Sequence, residues 1–516
     1  MLPVLRPISL ALLASAFAVA CTVRTLQVEE SRPAPGPGTR VESPVKAHLL
    51  DGTTVLYAHG VKVEDQALVG PGTRFGLRLE ELGPVERVPL DSLVGMEAFR
   101  SGVNGAATAG LTLLAVAGTL GIGALLAVAI FGSCPTFYSD SLNTQVLEAE
   151  GFSYSIAPLF EARDVDRLRL RTGADGTLRL EVRNEALETH FINHLELLQV
   201  SHAPDEQVVP DALGHPLALR DLRAPAIARD RAGRQVARAL TAADGEVFAT
   251  DTVVLARASV TDLEDYIDLA FPSPVGGDSI GLLLRLRNSL LNTVLLYDLM
   301  LGRQGARALD WQARDLDRVG PALELGSWYA GRMGLRVLVR QGTGFREVAR
   351  IRDTGPIAWK DVAVLLPPFE GDSVHLRLAF VADNWRIDRV ALAAGARQTA
   401  AGTIPLEQVL VAPGTPDTAA LAAMRAPDGR YLETHPGQHF TAVWRPEFPA
   451  SGAEQTYLLA SQGYYIEWVR RAWIAEGRDT TGFRPDDVAL VEAIHRWRGV
   501  QDSLEALFYA SKIPVR

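Results

Sequence analysis

Residues 103–131 read VNGAATAGLTLLAVAGTLGIGALLAVAIF, and their reading decides how the chain is divided. No charged residue lies between Arg100 and Asp140. At about 1.5 Å per residue, a helix of this run outlasts the ~30 Å hydrocarbon core of a bilayer. Ala115, Thr119, Gly123 and Ala127 fall on one helix face, a small-residue stripe that lets helices approach closely in lipid. The expectation is one hydrophobic membrane helix between a small N-terminal part and a large C-terminal part. The competing reading is a glycine-rich helix buried in a water-soluble core.

Upstream, residues 1–20 have the form of a signal peptide, with Arg6 in the n-region and an apolar h-region over 8–17. Ala18-Val19-Ala20-Cys21 resembles the lipobox of bacterial lipoproteins, although Ala18 stands where Leu is usual. The resemblance implies cleavage before Cys21 and lipidation of that cysteine. Ala18-Val19-Ala20 is also an ordinary A-x-A cleavage site, compatible with simple secretion. Thr22, in place of an Asp, leans towards the outer membrane. Residues 21–44 carry Pro33, Pro35 and Pro37 and read as a lipidated tether.

Residues 45–99 read as a small β-barrel-like domain. Asp51-Gly52 marks a hairpin between strands at 45–50 and 53–57, and Gly70-Pro71-Gly72 marks a further turn. Topology is awkward. A lipid on Cys21 and one crossing at 103–131 would place everything after Cys134 in the cytoplasm. The flanks oppose this, because Arg87 and Arg100 precede the run and no Lys or Arg follows until Arg163. Either the segment bends back near 118–123, or it sits in the outer membrane or against a partner.

Downstream, the expectation is a mainly β chain: a β domain at 133–245, a β-sandwich at 250–395, and a β-rich region with a C-terminal amphipathic helix at 400–516. Strands flank Asp175-Gly176 and Gln341-Gly342-Thr343-Gly344, and the apolar stretch 288–300 has helical character. From Pro485 to Ala510, Val488, Val491, Ile494, Leu504, Leu507 and Phe508 keep helical spacing.

Ser133-Cys134-Pro135-Thr136-Phe137-Tyr138 follows the hydrophobic run directly. Together with Glu148, Glu150, Asp166, Asn184-Glu185, Glu188-Thr189 and Val209-Pro210-Asp211, it resembles a group of uncharacterised bacterial envelope lipoproteins. That resemblance implies an envelope location and a fold, and no activity. The run around Trp385-Arg386-Ile387-Asp388 is similar to the closing strand of galactose-binding-like jelly rolls.

Composition excludes several classes. The chain has 516 residues, a net charge of −10 with mixed signs, and only two cysteines, Cys21 and Cys134. There is no basic footprint for nucleic acid, no disulfide framework and no cysteine zinc site.

Three patterns invite chemistry. Gly277-Asp278-Ser279-Ile280-Gly281 matches the G-x-S-x-G of serine hydrolases, but the alternation of Leu282, Leu284 and Leu286 with Arg285 and Arg287 predicts a strand where the nucleophile elbow needs a helix. His190 and His194 lie about 13 Å apart on a strand, too far for one metal. His202 adds nothing to them, and His435 and His439 flank a Pro-Gly turn without an obvious third ligand. Trp359, Trp385, Tyr464, Tyr465 and Trp468 would serve a sugar platform if they faced one groove. Cys134 reads as a small apolar residue packed beneath the membrane helix rather than a reactive thiol.

The function expected is therefore an envelope lipoprotein with a non-enzymatic binding or scaffold role, needing no cofactor or metal. Its partners are membrane lipid, through Cys21 and 103–131, and another envelope protein or a glycan. The alternatives are a glycan-binding sandwich and a hydrolase using Ser279.

Overall fold

The computed structural model describes residues 38–76, 79–99, 134–141, 144–273, 279–369, 371–412, 414–447, 452–477, 482–510 and 512–515. The expected signal peptide, Cys21, residues 21–37 of the expected tether and the run 103–131 lie outside these residues, whereas residues 38–44 of that tether are part of the fold: Thr39–Val41 form a strand, and Val41 and Ser43 are buried. Among the described residues no helix is long and apolar enough to cross a membrane. The chain is mainly β, built as five sheets with a helical insertion and a C-terminal helix.

The N-terminal sheet holds β1 (Thr39–Val41), β2 (Val45–Leu49), β3 (Thr54–Tyr57), β4 (Val61–Val63), β5 (Ala67–Phe75), β6 (Glu81–Pro89) and β7 (Leu93–Ala98). In β2, Val45, Ala47 and Leu49 point inward while Lys46 and His48 are only partly covered, the period-2 pattern of a strand with one buried face. Asp51-Gly52 makes the expected hairpin, with Gly52 at φ +82°. Gly70-Pro71-Gly72 does not turn the chain. These residues lie inside β5, where the register against β6 shifts between Val69 and Gly72. A Cβ at Gly72 would meet Val55 and Tyr57 at 2.8 and 2.9 Å, so the glycine admits a bulge packed on β3.

Two further sheets share a core that includes Phe137, Phe152, Leu180, Ile192, Phe440 and Trp444. One contains β8 (Thr136–Ser141), β9 (Thr144–Glu150), β11 (Leu178–Arg183), β24 (Gln408–Ala412), β25 (Thr415–Pro416) and β27 (His439–Trp444). The other contains β10 (Ala162–Arg167), β12 (Glu188–His202), β23 (Gly402–Pro405), β26 (Leu432–Thr434) and β28 (Glu454–Glu467). Strands from before residue 203 and after residue 401 thus join in both sheets, as two blocks meeting at β11 and β27 in the first and in alternation in the second. The short β29 (Val469–Arg470) adds to β7 in the N-terminal sheet. Asp175-Gly176 forms a local turn, Gly173 to Thr177, rather than a two-strand hairpin, because β10 pairs with β28 instead of β11.

The last pair of sheets encloses Trp385, Phe271, Leu284, Val337 and Leu378. One sheet has the order β13 (Gln207–Pro210), β14 (Pro216–Arg223), β22 (Trp385–Gln398), β17 (Ile280–Asn288), β20 (Lys360–Leu366). The other runs β15 (Ile227–Asp230), β16 (Glu264–Pro272), β21 (Ser373–Val381), β18 (Leu335–Gln341), β19 (Gly344–Ile351).

Between β17 and β18 the chain leaves the sheets. The apolar stretch around 288–300 is helical, as expected: α1 (Leu291–Val294) continues as wider π turns to Leu301. After three more short helical segments, at Gly302–Gln304, Arg307–Asp310 and Trp311–Asp315, comes α2 (Val319–Met333). These elements and α3 (Asp487–Ala510) share one core with the N-terminal sheet.

Candidate functional site

A cavity of about 560 Å³ lies between α1, α2, the turn at Pro158–Phe160 and the loop 352–356. Asn292, Thr293, Leu296, Tyr297 and Met300 all border it, an i, i+4, i+8 face maintained through the π turns. From α2 come Ala322, Leu325 and Tyr329. Gly326 brings α2 close to the facing turn, since a Cβ there would lie 3.1 Å from the Phe160 ring. The rim is apolar and open: Leu159, Val319 and Leu323 are 47%, 71% and 66% exposed.

The other end is polar. Asp353 accepts hydrogen bonds from Asn292 Nδ2 at 2.8 Å and Tyr329 Oη at 3.1 Å. Asp353 keeps some surface open to the cavity, yet burial of its carboxyl raises the pKa to about 7. The loop carrying it is fixed. Asn288 Oδ1 accepts from the Thr354 backbone at 2.7 Å, and Glu150 Oε2 accepts from the Ile357 and Ala358 backbones. Ser153 Oγ and Asn292 Oδ1 are buried beneath the cavity wall with almost no accessible surface, and among the described residues neither has a hydrogen-bond partner. Gly355, at φ +81°, leaves open the space over Ser153 Oγ that a Cβ would fill.

Of the five aromatic candidates, Tyr465 borders the cavity and donates to the Ser153 carbonyl at 3.2 Å. The five form no common groove. Trp385 is fully buried and donates to the Met333 carbonyl. Trp468 is buried and stacks on His48 with ring centroids 3.7 Å apart. Tyr464 stacks on Phe191, and Trp359 sits beside the guanidinium groups of Arg285 and Arg287. Aromatics in β-rich chains fill cores first, and four of the five are buried in this way, whereas Trp359 is half-buried.

Ser279 is exposed and leads straight into β17, so the strand predicted after it is present and the elbow is not. Among the described residues no His–acid pair is seen within hydrogen-bond reach of its hydroxyl.

The histidines on β12 point to separate partners. His190 Nε2 lies 2.7 Å from Glu188 Oε1, and His202 Nε2 lies 2.9 Å from Thr456 Oγ1. His435 does find company the sequence did not suggest. Its ligand atom and those of Glu97 and Glu433 lie within 4.8 Å of one another. The position between the carboxylates is taken, however: Lys46 Nζ is 3.2 Å from Glu97 Oε1 and 3.1 Å from Glu433 Oε1. His48 Nε2 lies 3.1 Å from Glu97 Oε1, and Thr189 Oγ1 donates to Glu97 Oε2 at 2.6 Å. An internal ammonium supplies the charge a cation would.

The motif around Cys134 also closes on itself. Glu188 Oε1 accepts from the Cys134 backbone at 2.5 Å, and the Cys134 thiol lies 3.7 Å from Glu150 Oε1. The thiol is thus buried in polar company, whereas the sequence suggested apolar packing. Tyr138 Oη donates to Glu185 Oε2 at 2.7 Å. These contacts tie sheets and the 352–358 loop together.

Burial, above all, lifts Glu188 to about 7 and Glu467 well above the usual range. A carboxyl with a raised folded pKa binds more protons folded than unfolded between the two values. Its contribution is present below the unfolded value and is lost as pH rises. Stability should therefore fall from about pH 5 to pH 8, by roughly 3 kcal/mol for Glu188 alone. Urea unfolding across that range measures it. Glu188→Gln should flatten the profile, and a profile rising with pH would contradict the assignment.

No family model and no curated protein matches this chain. Among solved structures, a GH31 α-xylosidase from Xanthomonas citri aligns at 9% identity and a TM-score of 0.17, covering 82% of this chain and 38% of its own. Infectious bursal disease virus (Gt strain) aligns at 10% identity and a TM-score of 0.12, covering 73% and 87%. The chain spans well under half of the xylosidase, and neither likeness carries an argument about fold or function.

Proposed function

We propose that this chain is a lipid-anchored bacterial envelope protein with a non-enzymatic binding role, whose cavity along α2 takes a small apolar or amphipathic molecule. The observation that carries the reading is the cavity itself. Its volume of about 560 Å³ falls in the ~300–1,000 Å³ range of small-molecule sites, and apolar walls lead to a few convergent polar groups. Leu159, Val319 and Leu323 leave an apolar rim where such a molecule enters. Anchoring rests on the sequence: the lipobox-like Cys21, the tether, and the uncharged run 103–131. The outer membrane is favoured by Thr22, and the charge flanks oppose a simple crossing into the cytoplasm.

The cavity is tested with N-phenyl-1-naphthylamine, which brightens in apolar surroundings. Saturable binding at one site is expected. Ser327→Trp, at an exposed position on the cavity wall, should weaken it at least about tenfold, equal to 1.4 kcal/mol. Equal binding by both proteins would remove the cavity from the account. Anchoring is read separately, by mass spectrometry of the mature N-terminus. An unmodified Cys21 would end that part of the proposal.

A further inference from the structure

We propose that the cavity is a slot for one unbranched acyl chain of about twelve carbons, with the head of the molecule left in water at Arg352 and the chain lying along α2. This rests on the cavity being a binding site, and it adds the shape and length of what the site takes.

The walls give the slot its shape. Val319, Ala322, Leu323, Gly326, Ser327 and Ala330 of α2 all border the cavity, an i, i+3, i+4, i+7 face that continues for about three turns. Across from it stand Asn292, Leu296 and Met300, spaced four residues apart on α1 and the π turns. Two helical faces that meet in this way enclose an elongated space. Gly326 holds α2 close to the Phe160 ring partway along, so the space stays narrow there.

Length and volume then limit the occupant. From Val319 to Ala330 the helix rises about 16 Å, and an extended hydrocarbon chain covers that distance in about twelve carbons at ~1.3 Å each. A cavity of about 150 Å³ holds one benzene, or about 25 Å³ for each ligand atom. The volume of about 560 Å³ therefore takes about twenty non-hydrogen atoms. One chain with a small head fills it, and a lipid with two such chains does not fit.

The two ends differ, which sets the direction of the chain. Tyr329, Arg352 and Asp353 stand at one end, and Arg352 is exposed there. A polar head keeps its water at that edge and has no need to enter the hydrogen-bonded network behind it. Leu159, Val319 and Leu323 stand at the rim, where exposed apolar surface suits the chain terminus. Methylenes beyond Val319 leave the slot for water and gain nothing more by burial.

The experiment is displacement of N-phenyl-1-naphthylamine from the full-length protein at pH 7.5 by straight-chain alkanoates from octanoate to hexadecanoate, each kept below its micellar concentration. The head is constant, so differences report the chain. Affinity should rise about fifteenfold for every two carbons up to dodecanoate, the value of two buried methylenes, and level off for tetradecanoate and hexadecanoate. Leu323→Asp, at an exposed rim position, puts a charge about 10 Å along α2 from Ala330 and should bring the break back to octanoate or decanoate. Dodecanoyl-lysophosphatidylcholine should displace the probe at least about tenfold better than dihexanoylphosphatidylcholine, which divides the same carbons between two short chains under the same head. Displacement by this lysolipid as well as by dodecanoate shows that the chain itself is read, and displacement by dodecanoate alone assigns free acids as the source. If the probe does not bind wild type, the cavity reading itself fails. If the probe binds but affinity is flat across the series, climbs unbroken to hexadecanoate, or breaks at the same length in Leu323→Asp, the slot is overturned while the cavity stands. Equal displacement by the one-chain and two-chain lipids also overturns it.

Discussion

Lys46→Met should destabilise the protein by about 3–5 kcal/mol at pH 7.5, the usual cost of leaving buried charges without their partner. Glu97 and Glu433 are almost fully enclosed, with side chains 2% and 5% exposed. Burial alone would raise both pKa values. The Lys46 ammonium, with His48 beside Glu97 and His435 beside Glu433, outweighs burial and holds both carboxyls below the ordinary range. A carboxyl depressed in this way contributes stability above its unfolded pKa and loses it as pH falls. Without Lys46 the two carboxylates repel each other across a few ångströms, and the cheapest relief is protonation. The gap between wild type and variant should therefore narrow as pH is lowered from 7.5 towards 5. Urea unfolding at both pH values measures it. A difference below about 1 kcal/mol at pH 7.5 would mean that Lys46 behaves as a surface charge.

Trp385→Ala should cost about 3–5 kcal/mol, the range for emptying a large aromatic site in a packed core. The indole lies between the two sheets built from residues 207–398 with no exposed surface, and Nε1 donates to the Met333 carbonyl at 3.0 Å. That carbonyl also accepts from Asn384 Nδ2 at 2.7 Å, so it is not orphaned by the change, and the loss is one of packing. The same substitution discriminates between roles. A sugar-platform tryptophan could be removed at little cost in stability, whereas this one should lower the unfolding midpoint with no sugar present.

What was legible in the sequence was local. Val45, Ala47 and Leu49 announce a strand, Asp51-Gly52 its turn, and the Leu–Arg alternation after Ser279 another strand, because each signal lies within a few residues. Pairing across the chain was not legible. Nothing in the sequence of β28 says that it joins β12, some 260 residues earlier in the chain. The C-terminal helix shows the same limit at finer scale. Its existence followed from periodicity, but Val488 proves 63% exposed and Leu507 39%. Leu490, Ala493 and Trp497 are buried instead, alongside the expected Ile494 and Phe508. Trp497 fixes the rotation by donating to Asp383 Oδ2 at 2.6 Å, a partner no helical wheel supplies.

The cavity was hidden for a related reason. Its apolar wall had a readable signal, since 288–300 reads as helix and Ala322, Leu325, Tyr329 and Met333 keep helical spacing on α2. Its polar end had none. Ser153, Asn292, Tyr329 and Asp353 come from four separate segments, and each is an unremarked polar residue until the fold brings them together.

The central claim is that an apolar molecule occupies the space along α2. Photolabelling with a diazirine-bearing single-chain amphiphile, followed by peptide mass spectrometry, tests it most directly. The account predicts adducts concentrated on Leu159 and Phe160, on Leu296 and Met300, and on α2 between Val319 and Tyr329, all suppressed in Ser327→Trp. Adducts that avoid these residues, or that persist unchanged in Ser327→Trp, would contradict it.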